Sequence, residues 1–193
     1  MNTKLLAALG AAALYVPLSM TSAYAQVTFT TPSNEQAQAP RPPRERGPAL
    51  EPAITAARTA VQACADRGYQ VTVAVVDQAG LPVVLLSGDG AAAITQSIAM
   101  GKAVSAVRNG KPSADLAVEA RTNPQLAAKL AADPQQGPQR GGGIPIMAGT
   151  TAIGAIAVSG APDAGWDATC ARAGLDAAAA GFPAAGATPR RRR

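Results

Sequence analysis

Histidine is missing from all 193 residues. Without an imidazole, neither a Ser–His–Asp set nor a Cys–His pair can be assembled, so a catalytic thiol or hydroxyl has no ordinary base. Zinc would have to be held by cysteines or carboxylates alone, and two cysteines far apart in the sequence are too few. Aromatic residues make up only 3% of the chain, with one Trp, three Tyr and two Phe. The domain therefore offers no basic face rich in aromatics, and no nucleic-acid partner is expected. Beyond the first 25 residues no apolar run approaches the roughly 20 residues that cross a bilayer. Paired carboxylates at catalytic spacing are also lacking. No enzymatic constellation stands out, and any catalytic activity is left open.

The charge of the whole chain, +5, belongs to its ends. Within residues 51–180 nine basic side chains face ten acidic ones, a net charge of −1. The N-terminus has a short positive start through Lys4, an apolar run at 5–18 and the small-x-small triplet Ala23-Tyr24-Ala25. These three parts predict a signal peptide over 1–25, cleaved near Ala25, and hence a periplasmic or secreted protein. The competing reading is an uncleaved amphiphilic N-terminus. Residues 26–49 lack periodicity and carry prolines at 32, 40, 42, 43 and 48. That composition predicts a disordered tether, because it buries too little apolar area to offset the entropy of ordering. Residues 182–193 read as a disordered basic tail ending in Arg190, Arg191, Arg192 and Arg193. The tail is expected either to be simply solvated or to touch an anionic membrane or polyanion.

Between these ends lie two hairpin patterns separated by helical sequence. A stripe of Leu50, Ile54, Ala57, Val61 and Cys64 predicts a helix over 51–67, with Pro52 in the first turn, where its missing N–H costs nothing. The β-branched run at 71–76 predicts a strand buried on both faces. Asp77-Gln78-Ala79-Gly80 reads as a type I turn into a return strand at 81–86. Helices are expected over 91–108, from a Ser113 cap to about 119, and over 124–130. The Pro/Gln/Gly-rich stretch 133–143 reads as a mobile loop. Strands at 144–147 and 151–158 and a final helix from Asp163 to about Ala180 complete the domain, 50–181. This order predicts an α/β (α+β) fold in which an antiparallel sheet of four to five strands is covered by helices.

Several of these segments, in this order and spacing, resemble the GlcG/HbpS family of haem-binding and haem-degrading-like proteins, related to the C-terminal domain of PduO. They are VAVVDQAG at 73–80, SGDGA at 87–91, IAMGKAVSA at 98–106, GGGIPI at 141–146, IGAIAVSGAP at 153–162 and DATCARAGL at 167–175. The resemblance covers about residues 50–180. It implies a profilin- or PAS-like fold, assembly into homo-oligomers and a small-molecule ligand, haem or a similar carboxylated compound. It does not extend to an axial histidine, which many members use. An axial ligand would have to come from Met, Tyr, Lys or Cys.

On that basis Lys102 is a candidate to hold a ligand carboxylate through a charge-assisted bond. Its bland alternative is a snorkelling or surface lysine. Met100 is a candidate soft ligand to iron or a core residue, and Tyr69 is a third candidate at the start of the first strand. Asp77 reads as a turn former or as a carboxylate lining a pocket. Gly141, Gly142 and Gly143 precede a strand, not a helix, so they supply backbone freedom and not a phosphate cradle. Cys64 and Cys170 lie on apolar stripes of the first and last helices, the second with Trp166, Gly174 and Ala177. In an exported chain they read as a disulfide, and otherwise as two separate buried thiols. The function classes left standing are an exported binding protein for haem or a similar ligand, and a structural or accessory protein that has lost its ligand.

Overall fold

The two central strands mix branched apolar residues with alanine, and the face each residue takes organises the molecule. The computed structural model describes residues 47–182. The expected signal peptide, most of the tether and most of the basic tail lie outside the described residues. The elements run α1 (Leu50–Ala65), β1 (Thr72–Asp77), β2 (Pro82–Ser87), α2 (Ile94–Asn109), α3 (Ser113–Ala120), α4 (Pro124–Ala132), β3 (Gly143–Ala148), β4 (Thr151–Ser159) and α5 (Ala164–Ala178). A 3₁₀ turn, Ala179–Gly181, follows α5. The fold is α+β, an open four-stranded sheet ordered β2-β1-β4-β3, with every neighbouring pair antiparallel.

Side chains on a strand alternate between faces, so each central strand feeds two cores. On one face Val73, Val75, Ile156 and Val158 pack with Ala53, Ala56, Ala57, Ala60 and Cys64 of α1 and Cys170 of α5. On the other, Ala74, Val76, Ala155 and Ala157 meet Ala99, Ala103, Ala106 and Val107 of α2. The second face is built almost wholly from methyl-sized side chains. Each buried carbon contributes little, about 0.8 kcal/mol per CH₂, so this layer depends on close approach of α2 to the sheet. The helix pair α1/α5 uses the same device. A Cβ on Gly174 would lie 2.3 Å from the Ala56 carbonyl oxygen and 2.9 Å from the Ala60 methyl.

Local chemistry explains the connections. The Asp77 carboxylate accepts hydrogen bonds from the N–H groups of Ala79 (3.1 Å) and Leu81 (2.9 Å). Gly80 closes that turn with φ +84° and an N–H bond to the Asp77 carbonyl. Each outer strand carries a proline, Pro82 on β2 and Pro145 on β3, which the edge of a sheet tolerates and which discourages pairing with further chains. Asn123 caps α4 ahead of Pro124, and Asp163 caps α5 through the Gly165 N–H.

Two expectations are corrected. Ser113 does not cap α3; it is the helix's first residue, and Pro112 holds the cap position. Its hydroxyl donates instead to the Arg140 carbonyl and accepts from the Gly143 N–H, fastening the entrance of β3 to α3. The stretch 133–142 is likewise not a free loop. Arg108 pairs with Asp133, Asn109 donates to Gln136, and Gln139 donates to Ser105. Polar side chains at the end of α2 thus replace the apolar contacts the segment lacks.

Candidate functional site

The sheet's coverage is uneven. Helices α1 and α5 lie over β2, β1 and β4, while the outer strand β3 is only partly roofed by the C-terminal half of α5. This leaves a groove of about 630 Å³ between β3 and α5, within the size range of small-molecule sites. Ile146, 2% exposed, belongs to the core beneath it, and Leu175 and Phe182 pack against the same core. Met147 is 39% exposed and lines the groove as well. Adjacent residues of a regular strand point to opposite faces. Here the pairing with β4 shifts between Ile146 and Met147, so that Ile146 opposes Gly154 but Met147 opposes Ala152. The extra residue of this bulge, Ile153, lies on β4; along β3, Ile144, Ile146 and Ala148 keep to one face, and the strand borders the groove along its open edge, from Pro145 to Gly149.

The rim is polar. Arg172 and Asp176, one helical turn apart on α5, are both exposed and both line the groove. Among the described residues Arg172 has no hydrogen-bond or ion-pair partner. A guanidinium is a fork of donors matched to a carboxylate, so the groove presents an apolar floor and a free cationic fork at its edge.

A second cavity of about 440 Å³ lies between α4 and the 133–139 segment, walled by Ala127, Leu130, Pro134 and Pro138. Its charged lining group is Asp133, whose carboxyl is held below its ordinary value by hydrogen bonds from Gln136 and Arg108. It offers no cation or sulfur and suits a carboxylated ligand poorly. Among the described residues no group of three or more His, Cys, Asp or Glu side chains could hold a metal ion.

The three candidates singled out from sequence occupy three separate places, and none lines the groove. Lys102 is 2% exposed, so it is neither a surface nor a snorkelling lysine. Its ammonium donates to Asp167 Oδ2 at 2.9 Å and to the Val158 carbonyl at 3.2 Å. The carboxylate it grips is the protein's own. Asp167 in turn accepts from the Ala161 N–H at 3.0 Å. Burial pushes the Asp167 carboxyl above its ordinary value, and Lys102 pulls against that shift. Gly142, at φ +120°, brings the chain past this pair; a Cβ there would sit 2.5 Å from the Val158 carbonyl oxygen and 2.9 Å from the Asp167 Cβ. The pair therefore joins α2, β4, α5 and the glycine-rich entrance of β3. Met100 packs partly buried against the alanine-rich core. Tyr69 leans on Trp166, ring centroids 6.0 Å apart, and Arg67 covers the indole at 5.1 Å. Cys64 and Cys170 form a disulfide between α1 and α5, with Cα atoms 5.6 Å apart.

This arrangement of sheet, helices and motifs has known counterparts. A family described as "Haem degrading protein HbpS-like" matches residues 49–176. The chain belongs to the HbpS-like family. A crystal structure of HbpS is 35% identical to it and superposes with a TM-score of 0.63, covering 72% of this chain and 96% of that one. A double mutant of HbpS from Streptomyces reticuli is 33% identical, with a TM-score of 0.63 over 79% of this chain and 97% of that one. A PduOC:heme complex shares the fold at 21% identity and a TM-score of 0.61, covering 68% and 94%. Comparison with proteins of curated function returned no match.

For an HbpS-like chain the groove is what sequence reasoning missed. The residues of GGGIPIMAG read as an ordinary strand, and nothing local marks that strand as the open border of a cavity. Arg172 reads only as one charge among nine. The available signal was indirect, Arg172 and Asp176 one turn apart on the last helix.

Proposed function

We propose that this HbpS-like chain is an exported binding protein for haem or a similar small carboxylated ligand, and that the groove between β3 and α5 receives it. The single observation that carries this reading is an apolar groove of about 630 Å³ with an unpartnered Arg172 at its rim. The residues suit a planar, amphipathic tetrapyrrole. Ile146, Leu175 and Phe182 offer apolar surface, Phe182 a face for stacking, and Arg172 a bidentate partner for a propionate. Asp176 repels a second carboxylate one turn further along and so favours one orientation. The family match supports haem as the class of ligand, and a structural relative bound to heme supports the fold's capacity for it. The positive start, apolar run and Ala23-Tyr24-Ala25 triplet support export.

The test is a haem titration of the purified full chain followed in the Soret band. A saturable shift is expected, weakened roughly 10- to 100-fold by Arg172→Glu, the scale of a lost charge-assisted contact. Phe182→Ser should weaken it as well. No saturable shift, or equal affinity in wild type and both variants, overturns the reading and leaves an accessory protein on an HbpS-like scaffold.

A further inference from the structure

Resting on the reading of the groove as a haem site, we infer that the groove recognises the carboxylated porphyrin ring and not its metal. On this account the chain supplies the iron with no axial ligand and binds metal-free porphyrin as well as it binds haem. Proteins ordinarily hold haem iron through His, Cys, Met or Tyr. Histidine is missing from the chain, and the other three are committed elsewhere among the described residues. Cys64 and Cys170 are joined to each other in the core. Met100 packs into the alanine-rich core under α2, across the sheet from the groove. Tyr69 leans on Trp166. Met147 belongs to the strand that borders the groove, but Ile144, Ile146 and Ala148 take the face that packs under α1 and α5. Strand alternation puts Met147 on the opposite face. Amines do no better, since Lys102 grips Asp167, and Lys111 and Lys129 bond to Glu119 and Asn109.

The sequence on either side of the described fold does not enlarge this donor set. Residues 26–46 and 183–193 contain no His, Cys, Met, Tyr or Lys. The chain's remaining members of those types, Met1, Lys4, Tyr15, Met20 and Tyr24, all fall within 1–25, the expected signal peptide. Two charged groups stand at the groove itself. The Arg172 guanidinium stays protonated and has no lone pair to give. Asp176 follows it by four residues on α5, about 6 Å along the helix. Where Arg172 takes a propionate, Asp176 therefore also stands at the rim of the ring and not over its centre. The groove's remaining offer is Ile146, Leu175 and Phe182 for the ring faces and Arg172 for a carboxylate. Haem and metal-free porphyrin share all of those features.

The experiment titrates the full chain in parallel with metal-free protoporphyrin and with ferric haem. The two dissociation constants should agree within about threefold, and Arg172→Glu should weaken both by the same factor. Removing even an outer-shell partner of a metal ligand typically costs roughly 10- to 100-fold in affinity. A direct ligand, from any residue or from a second copy, would therefore favour haem by at least about tenfold. A preference of that size overturns the inference while leaving the groove in place. So does a low-spin haem spectrum that Met147→Leu abolishes, or a loss in Arg172→Glu confined to haem. Binding of neither ligand by the wild type removes the groove as the site, and this inference with it.

Discussion

Lys102→Met is expected to destabilise the protein by about 3–5 kcal/mol at neutral pH, the cost of leaving one member of a buried ion pair without its partner. Lys102 and Asp167 are 2% and 4% exposed, so water cannot substitute for the lost ammonium. The pH dependence follows from the carboxyl. Burial already raises Asp167 above its ordinary value, against the pull of Lys102. Removing Lys102 raises it further. A folded-state value above the unfolded one means that the folded protein holds the extra proton, so this contribution is present in acid and is lost as pH rises through the raised value. The variant should therefore lie nearest the wild type below the ordinary carboxylate range and fall furthest behind at neutrality. Chemical denaturation across pH measures this directly. Lys102→Met combined with Asp167→Asn should recover most of the loss, since an amide oxygen still accepts the Ala161 N–H and no buried charge remains. A single variant as stable as the wild type at neutral pH would show that the pair is not buried.

The second large effect is expected at the disulfide. Replacing Cys64 and Cys170 together by Ala should cost about 2–5 kcal/mol, which for a domain of this size lowers the melting temperature by on the order of 10 °C. The two cysteines are 106 residues apart in sequence, so the crosslink restricts most of the unfolded domain. Both are fully buried between α1 and α5. Reduction of the native protein should accordingly be slow until denaturant opens that interface, which a time course of free thiols will show. Rapid thiol release from the native fold would contradict the packing of α1 on α5. The helix pair should still form without the bridge, because the Ala56, Ala60 and Gly174 contact remains.

The sheet could be read from sequence because its determinants are local. The β-branched run at 71–76, the Asp77–Gly80 turn and the second hairpin each announce themselves within a few residues. The disulfide was expected from two apolar stripes together with the expectation of export. What was not legible depends on long-range geometry. Lys102 and Asp167 are 65 positions apart, and nothing in IAMGKA says that the ammonium turns inward. Ser113 has the sequence of a cap, but the arrival of Arg140 and Gly143 gives its hydroxyl better partners. The stretch after Asp133 has the composition of a mobile loop, yet Arg108, Asn109 and Ser105 fasten it to α2. The groove is the most instructive case. It exists because β3 is the outer strand and because α5 roofs only part of it; neither is a property of any short segment.

The β3/α5 groove as ligand site is tested most directly by paramagnetic broadening in amide NMR spectra of the full chain on addition of ferric haem. Signals from residues 145–149 and 172–182 should broaden first and most, while those around Lys102, Tyr69 and the 133–139 segment persist. Broadening centred on Lys102 and Asp167, on Tyr69 and Trp166, or spread evenly over the surface would contradict it.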